Sequence, residues 1–198
     1  MVRSVFFALI AGLLPAFAGA EPVQTRQLAV GADYCAILRA FTDAPDTRCI
    51  GVAPDLGATR STRAPGGFSP EAAPISAPGS PPGYFIRFGF NSVALTPEYR
   101  AHLDRLSEVF SSQTMQGVCI KLVGHTDVLG EPSYNMRLSM ARARIVADYL
   151  RQATPVSGER LLSAGRGEAA PLPGVPGGHP LNRRVEILAK AKGDQGCK

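Results

Sequence analysis

Tryptophan is absent from the 198 residues, and lysine and arginine nowhere form a dense run with interleaved aromatic residues. The net charge of +5 suits an anionic polymer or an ordinary basic surface, and it gives no argument for nucleic acid. We therefore predict no nucleic-acid partner. The sequence also lacks an internal repeat, and no apolar stretch reaches the roughly 20 residues that a membrane-spanning helix needs.

The N-terminus has the features of a secretory signal peptide. Arg3 supplies a positive charge, residues 5–17 are apolar, and Ala18-Gly-Ala20 offers a small-residue cleavage site. The alternative is an uncleaved membrane anchor, which the short apolar stretch disfavours. No cysteine follows the predicted cleavage site to carry a lipoprotein acyl group. We therefore expect residues 1–20 to be removed and the mature protein to be soluble outside the cytoplasm.

Cysteine is scarce, and the arrangement of the cysteines argues against zinc. No two lie at the close spacing of a zinc site, and the histidines are scattered. An even number of cysteines in an exported chain favours disulfides, for which the sequence alone allows three pairings. We predict disulfides and neither metal nor cofactor; the candidates are Cys35, Cys49, Cys119 and Cys197.

Composition divides the mature chain into four parts. Residues 21–50 form a small segment with a predicted helix at 33–41, too short for an independent core. Residues 51–83 are rich in proline, glycine and alanine, as in a linker. We assign residues 84–192 to one compact domain and 193–198 to a tail.

The compact domain alternates strand-like and helix-like patterns. An aromatic run at 84–90 predicts a strand, and Thr96 followed by Pro97 is typical of a helix start. The further predictions are strands at 118–123, 161–164 and 183–190 and a helix at 134–152. The order β-α-β-α-β-β predicts an α+β sandwich with helices on one face of a sheet.

Asp127 follows the second predicted strand in a polar turn that closes at Gly130. Polar residues at the carboxyl end of a strand are a common setting for a binding site. They are equally compatible with a turn in which the aspartate bonds its own backbone. This pattern alone leaves both interpretations open.

Arg142 lies on the apolar side of the second predicted helix, where a charge needs a partner. One hypothesis is a salt bridge with Asp127. The other is a shared ligand, with an ammonium on Asp127 and a carboxylate on Arg142, as an amino acid end would supply. At 100° per residue the apolar face contains Leu138, Ala141, Ile145, Val146 and Tyr149, and the opposite face contains Arg137, Arg144, Asp148 and Arg151.

Five ordered motifs across residues 84–190 resemble the OmpA C-terminal-like domain family. They are Gly124-His-Thr-Asp-x-x-Gly130, Tyr134-Asn135, Leu138-Ser-x-Ala-Arg-Ala143, Gly165-x-Gly-Glu-x-x-Pro171 and Asn182-Arg-Arg-Val-Glu186. The resemblance implies a mixed four-stranded sheet and non-covalent binding of meso-diaminopimelate in the peptidoglycan stem peptide. The implied ligand-binding residues are Asp127, Arg142, Asn135, Asn91 and Arg183, although Gly89 stands where the family often has aspartate or asparagine.

The family resemblance also implies a location and a role. We expect a protein of the Gram-negative envelope, periplasmic or associated with the wall or outer membrane, that anchors a component to peptidoglycan. The sequence shows no outer-membrane barrel, acylated cysteine or stator helix of the kind found in well-known family members. We therefore expect any second partner, in the outer membrane or a secretion system, to be contacted through residues 21–50. The implied fold would bring Cys119 near Cys197 and leave Cys35 for Cys49.

The alternative function is a cell-wall hydrolase or metal-dependent enzyme that uses Asp127 and His125. Hydrolysis requires an activated nucleophile or a metal-bound water. The sequence offers neither a Ser/Cys–His–acid set nor a ligand cluster beside His125. We therefore predict that the chain is not an enzyme and that His125 is a structural turn residue.

Overall fold

The computed structural model describes residues 30–51, 83–153 and 158–197. The predicted signal peptide lies outside these ranges, as does the predicted linker apart from its two end residues. The boundaries proposed for those two segments therefore stay predictions. Within the described ranges, no helix has both the length and the apolar character needed to cross a bilayer.

Four strands form one mixed sheet in the order β1-β4-β2-β3. The central strand β4 is antiparallel to both neighbours, whereas β2 and β3 are parallel. The carboxyl ends of β1 and β2 and the amino end of β4 therefore meet at one edge. The strands are β1 (Gly83–Arg87), β2 (Val118–Gly124), β3 (Leu161–Gly165) and β4 (Arg184–Ala191).

Three α-helices complete the predicted α+β architecture, which is confirmed. Thr96 caps α2 as expected, since its hydroxyl oxygen accepts from the amide of Tyr99 at 3.3 Å. The core lies between the helices and the sheet. The helices are α1 (Tyr34–Phe41), α2 (Pro97–Ser111) and α3 (Pro132–Ala153).

The buried face of α3 differs from the predicted one. Ile145 is 39% exposed, and Tyr149 is only half-buried. The buried stripe of α3 is rotated by about one residue relative to the predicted one, because Ser139 packs directly against Gly124 and Gly165 at the ends of β2 and β3. The charged face is exposed as predicted. The fully buried positions are Asn135, Ser139, Arg142, Ala143, Val146, Ala147 and Leu150.

Helix α1 packs into the same core as α2, α3 and the sheet instead of standing apart. Ile37 and Leu38 are fully buried, and the Phe41 ring meets Phe110 of α2 edge-on at 5.1 Å between centroids. The apolar side of α1 is thus covered by this chain's own residues. A partner that contacts residues 30–51 would have to use the other side.

Both disulfides suggested by the fold are present. Cys35 bonds Cys49 and closes the loop after α1, and Cys119 of β2 bonds Cys197 near the C-terminus. The second bond fastens the tail to the sheet across a separation of 78 residues. A long closed loop of this kind restricts the unfolded chain and so stabilises the folded one.

His102 of α2 is a fully buried imidazole in contact with the N-terminal segment. Its Nδ1 lies 2.6 Å from the Val30 carbonyl, and its ring stacks on Tyr84 at 4.0 Å between centroids. Because a carbonyl only accepts, Nδ1 carries the proton, and Nε2 has no hydrogen-bond partner among the described residues. Burial lowers the pKa of His102 to about 4, despite the Val30 carbonyl, which favours the charged ring.

The low pKa of His102 predicts that acid weakens the fold. The unfolded histidine binds a proton near pH 6.5, but the folded one does so only near pH 4, so the free energy of unfolding falls as pH drops between these values. The loss from this residue is at most about 3 kcal/mol. Chemical denaturation at pH 7 and pH 4.5 should show a smaller loss for His102→Gln, which donates a hydrogen bond but does not titrate. An identical loss in both proteins would contradict this assignment.

Candidate ligand-binding site

A pocket opens at the sheet edge where β1 and β2 end and β4 begins. It encloses about 250 Å³, including open solvent. All of the residues predicted to bind ligand line it, namely Asn91, Asp127, Asn135, Arg142 and Arg183. The other lining residues are Phe90, Thr126, Leu129, Tyr134 and Leu138.

Arg142 is fully buried, and main-chain carbonyls hold its guanidinium. Its Nε donates to Ser92 O at 2.9 Å, one terminal nitrogen to His125 O at 3.1 Å and the other to Gly89 O at 3.0 Å. No carboxylate of the described residues forms an ion pair with it. The side chain thus ties together the segments that follow β1 and β2 while one face remains on the pocket.

Asp127 and Arg142 do not form the salt bridge that was one of the two hypotheses for this pair. Asp127 instead pairs with Arg183, whose terminal nitrogen donates to Oδ2 at 2.9 Å. Arg183 is fixed in turn by donating from Nε to Phe88 O at 3.2 Å. Backbone carbonyls replace the carboxylate at Arg142 because the β1–α2 loop folds directly over the guanidinium. Among the described residues, Oδ1 of Asp127 has no hydrogen-bond partner.

The electrostatics of the pocket favour an anion. Burial and, to a smaller extent, the neighbouring Arg183 together lower the pKa of Arg142 to about 10, whereas Asp127 opposes the shift. Arg142 therefore stays charged at neutral pH. The two guanidinium groups face a single carboxylate, so one positive charge is left without a counter-charge.

Asn135 and Asn91 shape the walls of the pocket. The Asn135 amide donates to Leu129 O at 3.2 Å and to the Glu168 carboxylate at 2.6 Å, which holds the β2–α3 loop against the β3–β4 connection. Asn91 has a left-handed φ of 49°, a conformation that asparagine tolerates better than most residues. Its side-chain oxygen accepts from the Tyr134 hydroxyl and so links the β1–α2 loop to α3.

Glycines let α3 approach the sheet closely enough to bring Arg142 to the pocket. A Cβ at Gly124 would lie 1.9 Å from the Ser139 carbonyl oxygen, and one at Gly165 would lie 2.6 Å from the Ser139 hydroxyl. That hydroxyl also accepts from the amide of Gly167 at 2.9 Å. Gly124, Gly165 and Gly167 thus set the distance between α3 and the strand ends.

His125 does not line the pocket. Its ring nitrogen lies 3.4 Å from Glu186, whose carboxylate also binds Arg184. Burial raises the pKa of Glu186, but His125 and the charge of Arg184 outweigh it and hold the pKa below its ordinary value. Within the described ranges, no three His, Cys, Asp or Glu side chains gather in a way that could hold a metal. His125 and Asp127, the two residues that the hydrolase hypothesis uses, therefore do not line the pocket together.

Several lining residues, among them Phe90 and Leu129, are not among the residues that the sequence predicts to bind ligand. The predicted strand at 84–90 includes Phe90, but β1 ends at Arg87, and Phe90 is 65% exposed at the mouth. Gly89 and Asn91 are residue types that favour turns, and they are the sequence signal for an earlier strand end. Leu129 has no distinguishing sequence signal beyond its place next to Gly130.

Comparisons with known proteins agree with the resemblance. A model of the OmpA family matches residues 87–174. Outer membrane protein A of Shigella flexneri is 31% identical over 173 residues, which cover 82% of this chain and 48% of that protein. Outer membrane protein A of Shimwellia blattae is 30% identical over 175 residues, which cover 82% of this chain and 70% of that protein. The chain belongs to the OmpA family.

Among solved structures, this OmpA-family chain is similar in fold to the OmpA-like domain of FopA1 from Francisella tularensis. The TM-score is 0.50 at 21% identity, covering 55% of this chain and 72% of that one. The chain spans about half the length of the Shigella flexneri relative, at 48%. The named relatives are outer-membrane proteins and OmpA-like domains, and the predicted location in the Gram-negative envelope is confirmed.

The close contact at Gly124 predicts that a single added methyl group is costly. In Gly124→Ala the new Cβ would collide with the main chain of α3, which cannot move without displacing Arg142. We expect the free energy of unfolding to fall by about 2 kcal/mol or more. Gly117→Ala is the matched control, because nothing lies within 4 Å of its Cβ position. Equal stability of the two variants in urea denaturation would refute this account of the helix seat.

Proposed function

We propose that this chain binds peptidoglycan non-covalently, through the free amino acid end of meso-diaminopimelate, and thereby anchors an envelope component to the wall. The observation that carries the proposal is the fully buried guanidinium of Arg142, which faces the pocket without a carboxylate partner among the described residues. A buried cation is costly unless a counter-charge approaches it. A ligand carboxylate would supply that charge.

The remaining donors of Arg142 suit a carboxylate. A guanidinium has five N–H groups, and main-chain carbonyls take three of them here. One N–H remains on each terminal nitrogen. Two N–H donors are available for the two oxygens of a carboxylate, and charge-assisted bonds of this kind are about twice as strong as neutral ones.

Asp127 is suited to the ammonium of the same amino acid end. Arg183 occupies Oδ2, which orients the carboxylate, and Oδ1 has no partner among the described residues. Asp127, Arg142 and Arg183 therefore form a clamp for the ligand, in which Arg183 acts by orienting Asp127. Because Asp127 and Arg142 are not bonded to each other, the charged groups of the ligand can bind them without breaking a salt bridge.

The charge arrangement also favours a particular wall chemistry. The side chain of diaminopimelate ends in both an amine and a carboxylate, whereas lysine at the same stem position ends in an ammonium alone. Lysine would satisfy Asp127 but leave the positive charge of Arg142 unmatched. We therefore expect preference for diaminopimelate-containing walls. A further partner, contacted through the exposed side of residues 30–51, is compatible with this anchoring role.

Sedimentation with purified sacculi tests the proposed function. We expect the mature protein to pellet with diaminopimelate-type sacculi and to bind lysine-type sacculi about tenfold more weakly. Asp127→Asn, which keeps the shape but removes the charge, should lose most of the binding. Arg142→Lys should do the same, because a single ammonium replaces the planar fork.

Exposed positions on α3 provide matched controls. Asp148→Asn and Arg144→Lys make the same chemical changes on the solvent side of the helix and should bind like the native protein. Thermal unfolding of each variant separates lost binding from lost folding, and Asp127→Asn alone decides the matter if Arg142→Lys unfolds. Equal retention of the native protein and Asp127→Asn would rule out the clamp. Release of soluble wall fragments would favour the hydrolase instead.

A further inference from the structure

A hydrogen bond joins two side chains of the pocket that the clamp does not use. The Tyr134 hydroxyl at the start of α3 donates to the side-chain oxygen of Asn91 in the β1–α2 loop. Both residues line the pocket, and Tyr134 is 42% exposed. The bond therefore connects two of the walls that a ligand would contact.

Asn91 lies beside the guanidinium of Arg142. Gly89 and Ser92 stand on either side of Asn91 in the chain, and their carbonyls accept from Arg142 at 3.0 and 2.9 Å. Asn91 itself lies in the turn between these two acceptors, with its left-handed φ of 49°. Tyr134 is also close enough to the guanidinium to oppose the lowering of the Arg142 pKa. A carboxylate bound to Arg142 would therefore lie next to the Asn91 side chain.

We propose that Tyr134 is a positioning residue that holds the Asn91 amide so that its nitrogen donates to the ligand carboxylate; this inference rests on the proposed function. A side-chain amide offers one acceptor oxygen and two N–H donors. Tyr134 occupies the oxygen, and the nitrogen has no hydrogen-bond partner among the described residues. An amide turned the other way would present its oxygen and repel a carboxylate. Asn91 thus adds a neutral donor beside the charged donors of Arg142.

This arrangement distinguishes a carboxylate from an amide at the same end of the ligand. A carboxylate only accepts hydrogen bonds, so it can satisfy every N–H group that faces it. An amidated end carries N–H groups of its own, which would oppose a donor of Asn91 or Arg142 and leave it unpaired. Sites that leave a polar group unpaired with the wrong ligand discriminate strongly against that ligand. Tyr134 therefore contributes to selection of the acid without binding the carboxylate itself.

Isothermal titration with the tripeptide L-Ala–D-Glu–meso-diaminopimelate tests the inference. We expect Tyr134→Phe to bind about fivefold more weakly than the native mature protein, because the amide is no longer oriented. Asn91→Gly should bind about tenfold more weakly without strain, since glycine adopts a left-handed φ readily. The double variant should bind no more weakly than Asn91→Gly, because Tyr134 acts through Asn91. Tyr149→Phe is the matched control: it removes a tyrosine hydrogen bond from α3 to Asp104 and should bind like the native protein.

A second measurement distinguishes positioning from a merely structural tether. Asn91→Asp keeps an acceptor for Tyr134 and tolerates the left-handed φ, but it presents a negative oxygen to the ligand. The native protein should bind the tripeptide about tenfold more weakly when its side-chain carboxylate is converted to an amide. In Asn91→Asp this difference should fall below about twofold, because the acid is now repelled. A difference that stays at about tenfold in Asn91→Asp would overturn the inference.

The outcomes separate this inference from the proposed function. Tripeptide binding that is equally tight in the native protein and in Tyr134→Phe would overturn the inference alone. Losses that multiply to about fiftyfold in the double variant would also overturn it, since Tyr134 would then act independently of Asn91. Failure of the native protein to bind the tripeptide would overturn the proposed function as well.

Discussion

Three main-chain carbonyls hold the buried guanidinium of Arg142 at the inner wall of the pocket. Because these oxygens belong to the segments after β1 and β2, one side chain of α3 fixes both walls of the pocket. The carbonyls satisfy hydrogen bonds but not charge, and burial lowers the pKa of the group to about 10. The fold therefore keeps a permanent cation that is bound, oriented and still lacks a counter-ion.

The rest of the molecule keeps that cation in position. The glycine at the end of β2 admits the backbone of α3, and Arg183 turns Asp127 away from direct contact with Arg142. Helix α1 adds apolar contacts behind α2, and the disulfide between Cys119 and Cys197 ties the tail to the sheet. These contacts lie away from the pocket and leave the pocket at the strand ends open.

Strand and helix order could be predicted from the sequence because periodicity and caps such as Thr96 and Pro97 depend on local interactions. The need of Arg142 for a partner was visible from its apolar neighbours. Its true acceptors were not, since main-chain carbonyls carry no residue-specific signal. The rotation of α3 that exposes Ile145 was also hidden, because it follows from close packing at Gly124 rather than from average hydrophobicity. The place of Phe90 at the mouth of the pocket was also not predictable from its β-favouring neighbours, because β1 ends at Arg87 and the chain has turned by the left-handed Asn91.

The central claim is that the carboxylate of a diaminopimelate end supplies the missing charge beside Arg142. Nuclear magnetic resonance of the arginine Nε–H groups in the folded protein reports on this directly. We expect the Arg142 signal to shift saturably with the diaminopimelate tripeptide, and to stay in place when the side-chain carboxylate of that peptide is converted to an amide. Equal shifts with both peptides, or saturable binding that leaves the Arg142 signal unmoved, would contradict the account.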